Sequence, residues 1–241
     1  MSKLEVDQID PQSGTTLTLG TSGDTVVVPS GVSLAPGGGL TLTGALVVDG
    51  GTVKLDGNYP TGTGNVALGD AALDDGSLSG GCNTAIGSCS MTANTSGNRN
   101  TAVGRTSLVA NTTGSCLAAL GHGTLASNVD GDFNTALGYA VLNSNVSSDN
   151  NTGVGYNALV VNTGANNTAV GSNSMICNST GGDNVSVGAY ASCKNTTGSK
   201  NTSVGFVALG CNTTGACNTA LGFESLLCNT TANNNTALGF Y

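Results

Sequence analysis

The sequence predicts an all-β fold: a parallel β-roll, or β-solenoid, of about eleven coils with a 17-residue period. The first observation behind this is a motif, NTAVG at 100–104, which recurs in related form eleven times between Asn65 and the end of the chain. The second is the spacing, because the last glycines of successive copies stand 17 residues apart, with one step of 18 and one of 16. Repetition at a fixed period is typical of arrays whose units bury apolar side chains only by stacking.

The composition excludes several functional classes. Of 241 residues only 8% are charged and 4% are aromatic, and the net charge is −8. Binding to nucleic acid requires clustered basic residues, but the six Lys and Arg are scattered. No apolar run approaches 18 residues, and the first residues lack the apolar core of a secretory signal. We therefore expect neither a nucleic-acid partner nor membrane insertion.

The repeat defines the domain organisation. Residues 1–12 form a polar leader, and residues 13–57 contain short alternating segments without the 17-residue period. We predict that 13–57 is a separate β module of short strands, which serves for attachment or capping. Residues 58–64, with one Pro and two Gly, form a linker, and residues 65–241 form the β-roll domain.

Within the repeat, we number positions 1 to 17 from the Asn of the motif, so that Asn100 is position 1. Positions 1 and 12 are nearly always Asn, position 3 is small, position 4 is Val, Ile or Leu, position 5 is Gly, and position 9 is usually Leu or Met. We predict short strands at positions 1–5 and 8–11, with corners at the position-5 glycine and at the Asn-Thr-Thr-Gly group. Stacked Asn columns should exchange amide hydrogen bonds between coils.

The register can be assigned in two ways. We expect positions 4 and 9, such as Val103 and Leu108, to form the buried ladders, so that Val170→Asp would unfold the roll locally. Position 3, such as Ala102, would then face the other side and allow another chain to approach closely. Because so thin a coil buries little apolar area, we expect three chains to associate. The alternative is that the position-3 alanine fills a narrow interior.

Eight cysteines fall mostly into two columns. Buried, reduced thiols are the favoured interpretation, and no CxxC metal spacing occurs. A bridge between coils, from Cys211 to Cys228, remains open. One column contains Cys177, Cys211 and Cys228, and the other contains Cys82, Cys116 and Cys217.

Two stretches of the sequence resemble known families. The NTAVGxxAL unit is similar to the head repeats of trimeric autotransporter adhesins and, more closely, to repeat regions of tailed-phage tail fibres. The opening MSKLEVDQIDPQSGTTLTLG resembles the N-terminal segment of fibre proteins from phages of aquatic bacteria, especially cyanophages. The resemblance implies a left-handed, trimeric β-roll on the virion surface. The signal peptide and membrane anchor of an autotransporter are not found, so a short fibre, a decoration protein or one segment of a longer assembly fits better.

Few residues carry reactive side chains, and we expect no catalytic, metal or cofactor site. The single histidine, His122, is expected to be a corner residue on the rim. The acidic pairs Asp74-Asp75 and Asp130/Asp132 could contribute to a Ca²⁺ loop but supply too few ligands alone. Aromatic residues recur at position 6 and should stack as a surface column that binds a sugar or packs at a subunit seam. This column contains Tyr139, Tyr156, Phe206, Phe223 and Phe240.

Three functions compete. The first is a non-enzymatic structural and attachment protein of a virion, whose partners are its own copies, other virion proteins and a host glycan. The second is a self-assembling extracellular filament or adhesin, and the third is an ice-binding solenoid suggested by Thr columns at positions 13 and 14. Phe240 and Tyr241 are predicted to form an assembly tip that docks onto another protein.

Overall fold

The computed structural model describes residues 63–240. This part of the chain contains eleven short strands, which form one parallel sheet in chain order. Each strand pairs in register with the next, as in Thr84 with Thr101 and Ala85 with Ala102. The predicted parallel β-solenoid is therefore confirmed, with one strand in each repeat. The strands are β1 Val66–Leu68, β2 Thr84–Ile86, β3 Thr101–Val103, β4 Ala118–Leu120, β5 Thr135–Tyr139, β6 Thr152–Tyr156, β7 Thr168–Val170, β8 Val185–Val187, β9 Thr202–Val204, β10 Thr219–Leu221 and β11 Thr236–Leu238.

We call the repeat that contains β1 coil 1, and so on to coil 11. The predicted leader, the N-terminal module and all of the linker except Thr63 and Gly64 lie outside the described residues, so these boundaries stay predictions.

The interior is built from positions 3 and 9, and the predicted burial of position 4 is wrong. Ala102 and Leu108 have no exposed surface, whereas the position-4 residue Leu137 exposes 46% of its surface. The alternative, in which position 3 fills a narrow interior, is confirmed. Side chains of the same chain fill the space that position 3 faces. At position 3 of coil 6, for example, Gly153 faces Val141 and Leu142. A strand thus turns its alanine inward and its larger aliphatic residue outward.

The second predicted strand, at positions 8–11, is not formed. The chain turns there instead, and positions 7 and 9 adopt left-handed backbone conformations, as in Thr106 (φ 55°) and Leu108 (φ 50°). The corner at the position-5 glycine is confirmed: Gly104 has φ 132°, and an added β-carbon would lie 2.5 Å from the carbonyl oxygen of Gly121 in the next coil. Both the backbone conformation and the close stacking require glycine at this corner.

Buried asparagines connect the coils, as predicted. At position 12, the Nδ2 of Asn111 donates to the Oδ1 of Asn94 at 2.8 Å, and Asn128 donates to Asn111 at 2.8 Å. At position 1, the Oδ1 of Asn83 accepts the backbone N–H of Asn100 at 2.9 Å. These side chains satisfy backbone groups that the narrow interior would otherwise leave unpaired.

Coil 6 is one residue short and breaks the position-12 ladder. Its Asn162 donates to the carbonyl of Gly164 two residues onward, at 2.6 Å, and does not reach Asn145 in coil 5. As a result, the buried Oδ1 of Asn145 and the buried Nδ2 of Asn151 have no hydrogen-bond partner.

The core also changes character in coils 7 to 9. Ser192 replaces the usual Leu or Met at position 9, and its hydroxyl lies 2.8 Å from that of Ser203, which in turn donates to Ser186 at 3.0 Å. These buried serines separate one hydrophobic cluster, which ends at Met175, from a second one around Leu209. The stack therefore has two apolar blocks joined by a polar layer.

Candidate functional site

The outward side of the eleven-stranded sheet carries a row of exposed or half-buried aliphatic side chains. Strand alternation places positions 2 and 4 on this side, which we call the outer face. At position 4, Leu137 and Leu221 expose 46% and 43% of their surfaces, and at position 2 Val185 exposes 40%. The position-4 residues are Leu68, Ile86, Val103, Leu120, Leu137, Val154, Val170, Val187, Val204, Leu221 and Leu238.

The outer face carries no charge, since every residue at position 2 or 4 is Thr, Ala or a branched aliphatic residue. Eleven strands about 4.8 Å apart, each about 10 Å long, give a strip of about 500 Å². Monomeric proteins rarely expose a larger contiguous apolar patch than this. The strip is therefore a candidate interface.

The aromatic column at position 6 lies at the corner beside the outer face. The rings of His122 and Tyr139 stack with centroids 5.3 Å apart, and Tyr139 stacks on Tyr156 at 5.4 Å. Nearer the C-terminus, Phe206 stacks on Phe223 at 5.4 Å, and Phe223 on Phe240 at 5.2 Å. The predicted stacking is confirmed, and we call these rings the ring column.

The ring column is interrupted in its middle. Position 6 is Ser172 in coil 7 and Ala189 in coil 8, so neither coil supplies a ring there. Tyr190, at position 7 of coil 8, meets Phe206 edge-on, with centroids 6.4 Å apart and an interplanar angle of 73°. The face of Tyr156 that is turned toward coil 7 therefore has no ring from that coil above it.

His122 continues the ring column toward the N-terminus, as an exposed corner residue. Its Nε2 lies 3.2 Å from Nη1 of Arg105, the position-6 residue of coil 3. Because Arg is always a donor, Nε2 accepts this bond. The histidine therefore contributes to the ladder of side chains at the rim, as expected from its position.

Two of the four acidic residues considered for Ca²⁺, Asp75 and Asp132, hold backbone N–H groups. The Oδ1 of Asp132 accepts the backbone N–H of Ser115 at 2.6 Å, and that of Asp149 accepts the N–H of Asp132 at 2.8 Å. Ser77 donates to Asp75 through its hydroxyl and its backbone N–H, and these bonds lower the pKa of the Asp75 carboxyl. Among residues 63–240, no three His, Cys, Asp or Glu side chains are arranged to hold a metal ion.

The cysteines are not core residues, so the prediction that they are buried is wrong. All eight are free; Cys177 and Cys228 are exposed, and Cys193 and Cys211 are half-buried. They lie at corners and along the edge of the coils, where side chains point outward. Burial raises the pKa of the Cys193 thiol, and the neighbouring Cys177 and Cys211 raise it further.

The comparisons with known proteins add no family. No family model, no curated protein and no solved structure matches this chain. Within the described part of the chain, no helix is long and apolar enough to cross a membrane.

Fold and surface together define the class: a parallel β-solenoid repeat protein with an uncharged outer face and an interrupted column of stacked rings.

Sequence reasoning identified the ring column but missed the outer face. The signal was available, because position 3 is always small while position 4 is always a branched aliphatic residue. Of the predicted tip, Phe240 is exposed and stacks on Phe223, and Tyr241 lies outside the described residues. Docking at that tip stays a prediction.

Proposed function

We propose that the repeat domain is a non-enzymatic structural rod, and that three copies associate along their outer faces. The observation that carries this is an uncharged aliphatic column at position 4 that is exposed or half-buried in every one of the eleven coils. An interface with an unrelated protein would need such a pattern over only part of the length. A symmetric assembly about an axis parallel to the stack needs it in every coil, because each coil then meets the same coil of its partners.

Three chains suit the width of the outer face. Each strand presents only two outward side chains over about 10 Å, which is narrow for two sheets packed face to face. Around a threefold axis, the position-4 columns of three chains would converge on a common apolar core. The position-2 threonines would flank that core and contribute both a methyl group and a hydroxyl to the contacts between neighbouring chains.

A structural role also accounts for the residues that carry reactive groups. The histidine pairs with Arg105 and Tyr139, Asp132 and Asp149 accept backbone N–H groups, and the serines of the interior bond to one another. Each of these groups is used in holding one coil to the next. The resemblance to phage fibres supports the setting of a virion-surface fibre or decoration protein, with an extracellular filament as the alternative.

The number of chains tests the proposal directly. Multi-angle light scattering of the purified chain should give about 70 kDa, three times the 23.4 kDa of one chain. A mass of one chain would refute it. Immunogold labelling with an antibody against the repeat domain should then decorate virions in electron micrographs of the source material, whereas label on free filaments would favour the alternative.

An ice-binding function is the second candidate. The surface that would serve it is not the pair of threonine columns at positions 13 and 14. The threonines at position 13 are turned toward the neighbouring coil: Thr112 and Thr196 donate their hydroxyls to carbonyl oxygens at 3.1 and 2.9 Å. The more regular threonine column is at position 2 of the outer face, which is free only in a monomer. A single-chain mass together with thermal hysteresis would support this function, and a three-chain mass without hysteresis would exclude it.

A further inference from the structure

The gap in the ring column, in coils 7 and 8, shares these coils with the serine layer and follows a break in the asparagine ladder between coils 5 and 6. The position-12 asparagine ladder stops between Asn145 and Asn162, and the aliphatic interior gives way to serines between Met175 and Leu209. Elsewhere the repeat keeps these ladders almost without exception. Departures from local rules that coincide in one part of a regular fold are expected at functional sites.

The gap has the dimensions of one ring. Rings of adjacent coils stack 5.2–5.4 Å apart along the column. From Tyr156 in coil 6 to Tyr190 in coil 8 the backbone advances by two coils, about 9.6 Å at the spacing of parallel strands. A flat six-membered ring placed at the level of coil 7 would stack on Tyr156 at the distance at which the column stacks its own rings.

The surroundings of the gap are polar. Ser172, at its base, is exposed, and its hydroxyl accepts a hydrogen bond from Nδ2 of Asn173 at 3.3 Å. The second N–H and the carbonyl oxygen of the Asn173 amide, together with the hydroxyls of Tyr156 and Tyr190, offer further donors and acceptors. A ligand for this gap needs one apolar ring face and a rim of hydroxyl groups.

We propose that this gap is a saccharide-binding site, in which one pyranose ring stacks on the free face of Tyr156. The C–H bonds on one face of a pyranose meet the electron-rich face of the tyrosine ring. The sugar hydroxyls then bond to Ser172, Asn173 and the Tyr190 hydroxyl. A peptide proline or aromatic side chain would fill the same space but would form none of these hydrogen bonds.

The site lies at the border of the outer face. In coils 7 and 8 the strands end at position 4, at Val170 and Val187, whereas β6 extends to Tyr156. Light scattering tests the number of chains and saccharide binding tests this site, so the failure of either proposal is distinguished from the failure of the other.

Saturation-transfer NMR with three defined probes tests the proposal: maltohexaose, cellohexaose and chitotriose. A single stacked ring with a few hydrogen bonds gives affinities on the order of millimolar, which this method detects. We expect a signal from at least one probe, centred on the protons of one sugar face. Absence of signal from all three at millimolar concentration would overturn the proposal.

Two variants locate the binding. Ser172→Phe supplies the missing ring and should abolish the signal while keeping or raising the midpoint of thermal unfolding. Tyr156→Ala removes the platform and should weaken binding by about tenfold or more, which corresponds to about 1.4 kcal/mol. The matched control is Phe223→Ala, which removes a ring from the other stack and should leave binding unchanged. A signal that persists in folded Ser172→Phe, or an affinity that is unchanged in folded Tyr156→Ala, would refute the site.

Discussion

Gly153 lies directly against Val141 inside the roll, and a β-carbon on the glycine would overlap Cγ1 of the valine. In most other coils, position 8 is a small residue and position 3 is alanine or serine. Here, position 8 of coil 5 is Val141 and position 3 of coil 6 is Gly153. A larger side chain at one position is compensated by a smaller one at the other. Position 3 is thus part of a packed interior whose total volume is conserved.

We predict that Gly153→Ala lowers stability by about 1–3 kcal/mol, the usual cost of overpacking a core. The same change in a Val141→Ala background should cost at least about 1 kcal/mol less, because the valine methyl groups are then absent. The measurement is a double-mutant cycle by urea denaturation. Equal costs of Gly153→Ala in the two backgrounds would show that the residues do not share one space.

The short corner of coil 6 gives a second prediction. Inserting one Thr after Thr163 restores the Asn-Thr-Thr-Gly form and should return partners to Asn145 and Asn151. An unpaired buried polar group costs about 1–3 kcal/mol, so the thermal midpoint should rise. As the control, inserting one Thr after Thr113, into a corner of normal length, should lower it. If both insertions lower the midpoint equally, the shorter corner does not cause the break in the ladder.

Left-handed backbone conformations give a third prediction. Val207 has φ 56°, a conformation that is unfavourable for a β-branched residue by roughly 1–2 kcal/mol, whereas Asn tolerates it. Asn already occupies this position in coils 6 and 7, at Asn157 and Asn173. Val207→Asn should therefore raise the thermal midpoint. The same substitution at half-buried Val160, whose φ is not positive, should not; a rise in both variants would indicate a cause other than backbone strain.

The period of the repeat was enough to predict the class of fold, because only stacking in register explains why Asn, Gly and aromatic residues recur at single positions. It also predicted which rings stack, as in Phe206 on Phe223. The period does not tell which side of a strand faces inward. Choosing by hydrophobicity placed position 4 inside, whereas the narrow interior is filled by the small residue at position 3.

The turn at positions 6–10 was not predictable from propensity. Leu and Met at position 9 have no preference for a left-handed backbone, and only the coil geometry and the burial of their side chains hold them there. The interruption of the ring column was visible in the sequence as Ser172 and Ala189. That the same coils carry the buried serine layer, and that the asparagine ladder breaks just before them, required the three-dimensional contacts.

The central claim is that the position-4 column faces outward and joins copies of the chain. Three Ala-Leu dipeptides provide a matched test, since Ala119, Ala136 and Ala220 are fully buried while their neighbours Leu120, Leu137 and Leu221 are exposed by 39–46%. We compare a variant with Asp at the three alanines with a variant with Asp at the three leucines. The first should lose the β-roll, because each charge enters the interior unpaired.

Light scattering combined with circular dichroism of the triple leucine variant is the most direct measurement. We predict the β-sheet spectrum of the parent with the mass of a single chain, against a parent mass of three chains. A leucine variant that keeps the three-chain mass, or that unfolds like the alanine variant, would contradict an outward-facing assembly surface at position 4.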